Sequence, residues 1–208
     1  MDAQTGLVPL LGVAASISLL AGWRLYLCIL ATGLAMRWHV LPLPEHWHML
    51  DALANPWVLG VAAFAALCEF FADKVPWLDS IWDAIHTLIR PLGGALLASA
   101  IIDPSDPAVQ VIAFILGGGG ALLAHASKAG ARGVVNTSPE PFSNIALSTI
   151  EDAATAGLLY VVYAYPYAAG AVAAALLIVV GGMMFLTWKL IGRVFRRKPA
   201  SARDGLSA

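Results

Sequence analysis

Long apolar runs dominate this sequence and restrict the chain to folds that cross a membrane. The first run, residues 7–36, would be about 45 Å long as a helix, whereas the hydrocarbon core of a bilayer is about 30 Å thick. Charged residues make up 12% of the 208 residues and the mean hydropathy is +0.78, whereas soluble domains carry about 25% charged residues. The sequence therefore predicts an all-α integral membrane protein.

About six transmembrane helices are predicted, some of them broken. They cover residues 7–36, 57–72, 77–102, 109–126, 145–163 and 168–191. The first is expected to be strongly tilted or broken near Ala21-Gly22, and the third to be broken at Pro91-Leu92-Gly93-Gly94, as helices in transporters often are. Because the N-terminus lacks the positive charge of a signal peptide, the first run is interpreted as a real span.

The distribution of basic residues predicts the topology. The basic tail, residues 193–208, is expected to be disordered and cytoplasmic, because Lys and Arg favour the cytoplasmic side of a membrane. Counting back through six spans places both termini in the cytoplasm and the turn at residues 103–107 outside. The single transmembrane domain, residues 1–192, then divides into halves of about 1–103 and 104–192. Halves with three spans each have opposite orientations, which favours a 3+3 inverted-topology repeat.

A polar stripe interrupts the apolar pattern in the third span. At 100° per residue, Asp79, Asp83, His86 and Arg90 fall within about 60° of one another on a helix. An amphipathic helix lying on the membrane surface would show the same stripe. Such helices are mostly basic, however, whereas these acids and bases are spaced to pair, Asp83 with His86 and His86 with Arg90. The pattern therefore favours a stripe that lines an intramembrane cavity.

A second polar stripe follows four consecutive glycines in the fourth span. His125, Lys128 and Arg132 lie within about 60° on a helical wheel. The glycines are not followed by Gly-Lys-Ser/Thr and so do not form a phosphate loop. Arg24 lies in the middle of the first span, where a charge costs about 2.5 kcal/mol or more, so we expect it to face inward.

Other features of the sequence suggest no cofactor. Cys28 and Cys68 lie in apolar runs and are interpreted as packing residues rather than a disulfide or a metal site. His39, His46 and His48 lie in a polar linker whose spacing matches no usual zinc pattern, so a solvated loop is favoured over a metal site. The net charge of −1 gives no indication of nucleic-acid binding.

Three stretches of the chain resemble a known family. They read EFFADKVP at residues 69–76, DSIWDAIHTLIRPLGGA at 79–95 and NTSPEPFSN at 136–144. The chain is similar, from its first span to its last, to the bacterial membrane proteins grouped as the domain of unknown function 4126 family. This resemblance implies a multi-span protein of the bacterial cytoplasmic (inner) membrane and implies nothing about its chemistry.

The first functional hypothesis is a small transporter or translocator of an anionic solute or lipid head group, rather than an enzyme. The predicted substrate-binding residues are Arg24, Asp79, Asp83, His86, Arg90, His125, Lys128 and Arg132. Bases suit an anionic group, and intramembrane acids commonly carry protons or cations. Glu69, Asp73 and Glu151 are therefore predicted to carry the coupling proton or ion.

Two alternatives remain open at this stage. Asp79, Asp83 and His86 could hold a divalent metal in a membrane enzyme that acts on a lipid-linked phosphate, although the Asp-Gly and Ala-Arg elements of the phosphotransferases that act on CDP-alcohols are missing. The stripes could instead be structural ion pairs in a non-catalytic membrane module or ion pathway. The expected partners are the lipid bilayer and an anionic small molecule or lipid, and the sequence leaves an oligomer open.

Overall fold

The computed structural model describes residues 7–39, 45–102, 107–136 and 142–196, which fold into six α-helices. The helices are α1 (Leu7–Trp38), α2 (Pro56–Ala72), α3 (Pro76–Ile101), α4 (Pro107–Val135), α5 (Phe142–Ala164) and α6 (Ala169–Arg196). Short 3₁₀ helices at Glu45–Ala54 and Pro166–Ala168 join them. The predicted all-α class is confirmed. The predicted turn at 103–107 lies largely outside the described residues, as do residues 137–141 and the tail from 197.

Five of the helices are long and apolar enough to cross a membrane: α1, α3, α4, α5 and α6. The sixth, α2, is apolar but has only 17 residues. Large apolar side chains such as Phe64, Leu88, Ile115 and Ile178 are exposed on the outside of the bundle, where the hydrocarbon of a bilayer would cover them. The chain is therefore a multi-span membrane protein.

The first helix, α1, lies at the centre of the bundle and contacts each of the other five. Its N-terminal half forms an apolar core in which Val13, Ile17 and Leu20 pack with Ile101 and Val180. At Arg24 the backbone leaves the helical conformation, with φ −141° and ψ 72°. The predicted break in the first span is thus confirmed, two residues beyond the predicted position.

The predicted break in the third span is wrong, because α3 runs as one helix from Pro76 to Ile101 with Pro91 inside it. The nearby glycines serve packing instead. A Cβ on Gly94 would collide with the Cβ of Ala121 on α4, and a Cβ on Gly117 would lie 2.5 Å from the Cβ of Ala98. Small residues let the two helices approach closely, as is common inside membranes. This close contact brings the polar stripes of α3 and α4 together.

Candidate functional site: a buried charged network

The eleven side chains that the sequence singles out all lie inside the bundle, each with at most 6% of its surface exposed. They are Arg24 of α1, Glu69 of α2, Asp73 of the α2–α3 linker, Asp79, Asp83, His86 and Arg90 of α3, His125, Lys128 and Arg132 of α4, and Glu151 of α5. The two polar stripes meet, and five helices contribute to one charged network.

Asp73 is the centre of one part of this network. Its carboxylate pairs with the guanidinium of Arg24 and lies 3.2 Å from Nζ of Lys128 and 3.4 Å from Nη2 of Arg132. Its backbone carbonyl accepts hydrogen bonds from Arg132 (2.9 Å) and from the side-chain amide of Asn144 (2.8 Å). Burial alone would raise the pKa of Asp73, but the surrounding bases outweigh it and hold this pKa well below its usual range.

Glu151 shares the same three bases from the side of α5. Its Oε2 accepts hydrogen bonds from Arg132 (2.8 Å) and Arg24 (3.2 Å), and it lies 3.8 Å from Nζ of Lys128. Arg24 also donates to the carbonyl and the hydroxyl of Ser148, each at 3.1 Å. Arg24 therefore ties α1 to α5 and to the α2–α3 linker at the point where its own helix is broken.

Arg90 is the centre of the second part. It donates to Glu69 (2.6 Å) and Asp83 (3.2 Å), and its Nη1 lies 2.7 Å from Nδ1 of His125. Because Arg can only donate, Nδ1 of His125 must be the acceptor. Its Nε2 then carries the proton and donates to the carbonyl of Asp83 at 3.1 Å. His125 is therefore a neutral imidazole that orients the guanidinium of Arg90.

The break in α1 supplies further acceptors to the network. The carbonyl of Gly22 accepts a hydrogen bond from Arg90 at 3.4 Å, and that of Trp23 accepts one from Lys128 at 3.2 Å. A continuous helix would commit these carbonyls to its own backbone. The irregular backbone thus occurs where protein donors satisfy it, as membrane interiors require.

The pairing predicted for His86 from spacing is wrong. His86 donates from Nδ1 to the carbonyl of Trp82 (2.7 Å), and its Nε2 contacts the hydroxyl of Tyr26 at 2.9 Å. Its ring also stacks on that of Trp82, with centroids 4.3 Å apart. Asp83 pairs instead with Arg90, whose side chain is long enough to span two helical turns. His86 thus bonds to Tyr26 on α1 and to the carbonyl of Trp82 rather than to the residues that its spacing along α3 suggests.

Asp79 is held less tightly than the other acids. Among the described residues it makes one ion pair, with Nη1 of Arg132 at 3.6 Å. Its Oδ2 accepts a hydrogen bond from the side-chain amide of Asn136 at 2.9 Å. Only 1% of the residue is exposed, so Asp79 is a buried carboxyl group with one distant counter-charge.

A known protein family matches most of the chain. The family model described as Domain of unknown function (DUF4126) matches residues 11–186. The chain belongs to this family. The match includes all eleven network residues, and the resemblance seen in the sequence is confirmed. Neither the comparison with curated proteins nor that with solved structures found a match.

Sequence reasoning for this DUF4126 protein missed three polar residues on α5. Asn144, Ser148 and Thr155 are buried there and form a third polar stripe together with Glu151, which the sequence had singled out. Their spacing of three or four residues is the helical period, so the same reasoning could have found them. Tyr26 is a single polar residue in an apolar run, and no pattern marks it.

The network contains more acids than bases. Its buried groups are five carboxyls and four bases. At its edge a sixth carboxyl, Asp152, lies 3.0 Å from Nε of Arg24 with 26% of its side chain exposed, and a fifth base, Lys74, lies 3.5 Å from the hydroxyl of Ser148. Among the residues that the structure describes, no three His, Cys, Asp or Glu side chains are arranged to hold a metal ion. Asp79, Asp83 and His86, the metal ligands of the enzyme hypothesis, each face a different partner.

Proposed function

We propose that this protein is a small membrane transporter in which the buried network couples the movement of a proton to that of an anionic solute or lipid head group. The surplus of carboxyl groups over bases carries this proposal. An uncompensated carboxylate inside a membrane protein is costly, and a buried acid in that position takes up a proton or a cation instead.

The network suggests how a proton and an anion would be coupled. Each base is held by one or more carboxylates, so an anion cannot bind it without competition. Protonation of a carboxyl group weakens its hold on its base, which is then available to an anion. A proton and an anion that bind together leave the charge of the network unchanged, which keeps the electrostatic cost of the step low.

Asp79 is the residue that we assign to proton binding. Its single ion pair is the longest made by its guanidinium partner, Arg132, which has shorter contacts with Glu151 and Asp73. A proton on Asp79 therefore removes one of the three carboxylates that surround Arg132, which leaves this guanidinium less neutralised and more attractive to an anion. Glu69, Asp73 and Glu151, which the sequence suggested as coupling groups, have shorter contacts to bases and serve mainly to hold those bases in place.

The proposed transporter has the six-span inverted repeat that the sequence predicts. Both halves of the proposed inverted repeat contribute charged groups, and the broken helix at Arg24 corresponds to the discontinuous helices of transporter sites. With its 17 residues, α2 is at the lower limit for a crossing helix, which would give six crossings. Six crossings and the basic tail would support a topology with both termini in the cytoplasm of a bacterial cell and the protein in its cytoplasmic membrane.

A non-catalytic membrane module is the second candidate. The observation that favours it is the close pairing of Arg24, Arg90, Lys128 and Arg132 with carboxylates, which would also hold five helices in register. Such a module would keep its ion pairs intact and would move neither protons nor anions.

Proton uptake into liposomes distinguishes the two candidates. We expect purified protein, reconstituted with an internal pH-sensitive dye, to acidify the lumen when an inward proton gradient is applied, with inorganic phosphate outside and the phospholipids of the bilayer as sources of the anionic group. Asp79→Asn should abolish this uptake, whereas Asp51→Asn, which changes an exposed carboxyl group on the 3₁₀ helix Glu45–Ala54, should retain it. Uptake equal to that of empty liposomes, or unchanged in Asp79→Asn, would contradict the transport proposal.

A further inference from the structure

A crevice opens on one side of the bundle, between α2 and α5, and its floor is α1. It has a volume of about 620 Å³ and leads from the outer surface to the charged network. Leu67 and Phe70, which line it, are 57% and 39% exposed, so the crevice is accessible from the surface that faces the bilayer. Arg24 and Glu69 at its inner end are buried members of the network.

The walls of the crevice suit a hydrocarbon chain. Eight of its eleven lining residues are apolar, and the wall on α2 extends from Ala63 to Phe70, about 10 Å along the helix. Apolar walls inside a membrane give little preference for one chain over another, because the surrounding lipid is equally apolar. Selectivity for a ligand must therefore come from polar groups at the inner end.

Two further polar side chains, the acid Asp152 and the base Lys74, lie near the inner end of the crevice. Asp152 pairs through Oδ1 with Nε of Arg24 at 3.0 Å, and no described residue donates a hydrogen bond to its buried Oδ2. The nearby base is Lys74, whose Nζ lies 3.2 Å from the centre of the Phe70 ring, at the edge of the crevice. Arg24 itself is already held by Asp73, Glu151 and Ser148.

We propose that the crevice binds a phospholipid of the bilayer whose head group carries a primary ammonium as well as a phosphate. The ammonium donates hydrogen bonds to Oδ2 of Asp152, the phosphate lies beside Lys74, and one acyl chain lies along the apolar walls. Charge complementarity selects this ligand, because Asp152 lies at the inner end of an apolar channel and Lys74 lies beside Phe70 at its edge. The inference rests on the proposed transport function: the cargo is this lipid, and the phosphate of its head group is the anionic group.

Native mass spectrometry of protein released from nanodiscs tests this inference. The nanodiscs contain equal amounts of phosphatidylethanolamine, phosphatidylcholine and phosphatidylglycerol. We expect the wild-type protein to retain phosphatidylethanolamine in preference to phosphatidylcholine by about tenfold, because the trimethylated ammonium has no N–H to donate to Asp152. Equal retention of the three lipids, or a preference for phosphatidylglycerol, would overturn the inference.

Two variants locate the lipid. Ala66→Trp fills the crevice and should remove the retained lipid, whereas Ala65→Trp, on the same helix but outside the crevice lining, should keep it. Asp152→Asn should reduce the preference for phosphatidylethanolamine to near equality, and it tests the head-group contact even if Ala66→Trp does not fold. Retention that is unaffected by both Ala66→Trp and Asp152→Asn would place the lipid elsewhere.

Proton uptake by the same proteins reconstituted into liposomes separates this inference from the proposed function. Uptake without selective lipid retention would overturn the lipid inference alone. Selective retention without uptake would overturn the transport function and leave the crevice as a lipid-binding site.

Discussion

At the scale of single residues, the network depends most on Asp73. Its carboxylate is a counter-charge for three bases, one from α1 and two from α4. Its backbone carbonyl accepts hydrogen bonds from Arg132 and Asn144. Removing one partner of a buried ion pair is far more costly than removing both, because the remaining charge keeps its desolvation penalty.

Asp73→Asn is therefore expected to lower the free energy of unfolding by about 3 kcal/mol or more, the range found when one member of a buried ion pair is removed. The substitution keeps the size of the side chain and removes only its charge. Thermal unfolding in detergent measures the effect, with the exposed Asp51→Asn as the control. A variant as stable as the wild type would show that Asp73 is not a centre of the network.

The pKa of Asp73 gives this network a dependence on acid pH. Burial alone would raise the pKa, but Lys128, Arg24 and Arg132 lower it, so the folded value lies below the unfolded value of about 3.9. The stabilisation by Asp73 is then fully present above the unfolded pKa and is lost as the pH falls through the folded pKa.

We consequently expect the free energy of unfolding of the wild type to decrease below about pH 4 more steeply than that of Asp73→Asn, because only the wild type gains a proton at this site on unfolding. Chemical unfolding at a series of acidic pH values measures both curves. Parallel curves would mean that another group is responsible for the acid sensitivity.

At the scale of elements, the contact of α3 with α4 determines where the two polar stripes lie. Gly117 is buried in this contact, with Ala98 and the carbonyl of Gly94 close to the position of its missing Cβ. Gly119, two residues along the same helix, is exposed and has no atom within 4 Å of that position. The two glycines form a matched pair in which only one is needed for packing.

Gly117→Ala should therefore destabilise the protein by about 1–3 kcal/mol, as overpacking of a core does. Gly119→Ala should be neutral or slightly stabilising, since alanine favours a helix by about 1 kcal/mol over glycine. The difference between their unfolding temperatures measures this effect. A larger loss for Gly119→Ala than for Gly117→Ala would contradict the packing of α3 on α4.

The sequence predicted the stripes better than it predicted their partners. A polar face on an apolar helix can be found from the 3.6-residue period, because lipid excludes charged groups and forces them inward. The partner of His86 lies on another helix, at Tyr26, and no spacing along α3 reveals it. Pro91 and the glycines that follow it are typical of a broken helix, and only the structure shows that Gly94 lets α4 approach closely.

At the scale of the whole molecule, an apolar outer surface encloses a polar interior in which the acids outnumber the bases. The free energy of such an interior is lowest when the surplus charge is neutralised. In the proposed mechanism, a proton on the buried carboxyl group of Asp79 provides that neutralisation and makes the network able to carry protons.

Infrared difference spectroscopy tests this claim most directly, because the carbonyl stretch of a protonated carboxyl group differs from that of a carboxylate. We predict a protonated-carboxyl band that grows as the pH is lowered and shifts in D₂O, because the group exchanges its proton with the solvent during transport. The band should be absent from Asp79→Asn and present in Asp51→Asn. A wild-type spectrum without such a band, or the same band in Asp79→Asn, would contradict the account.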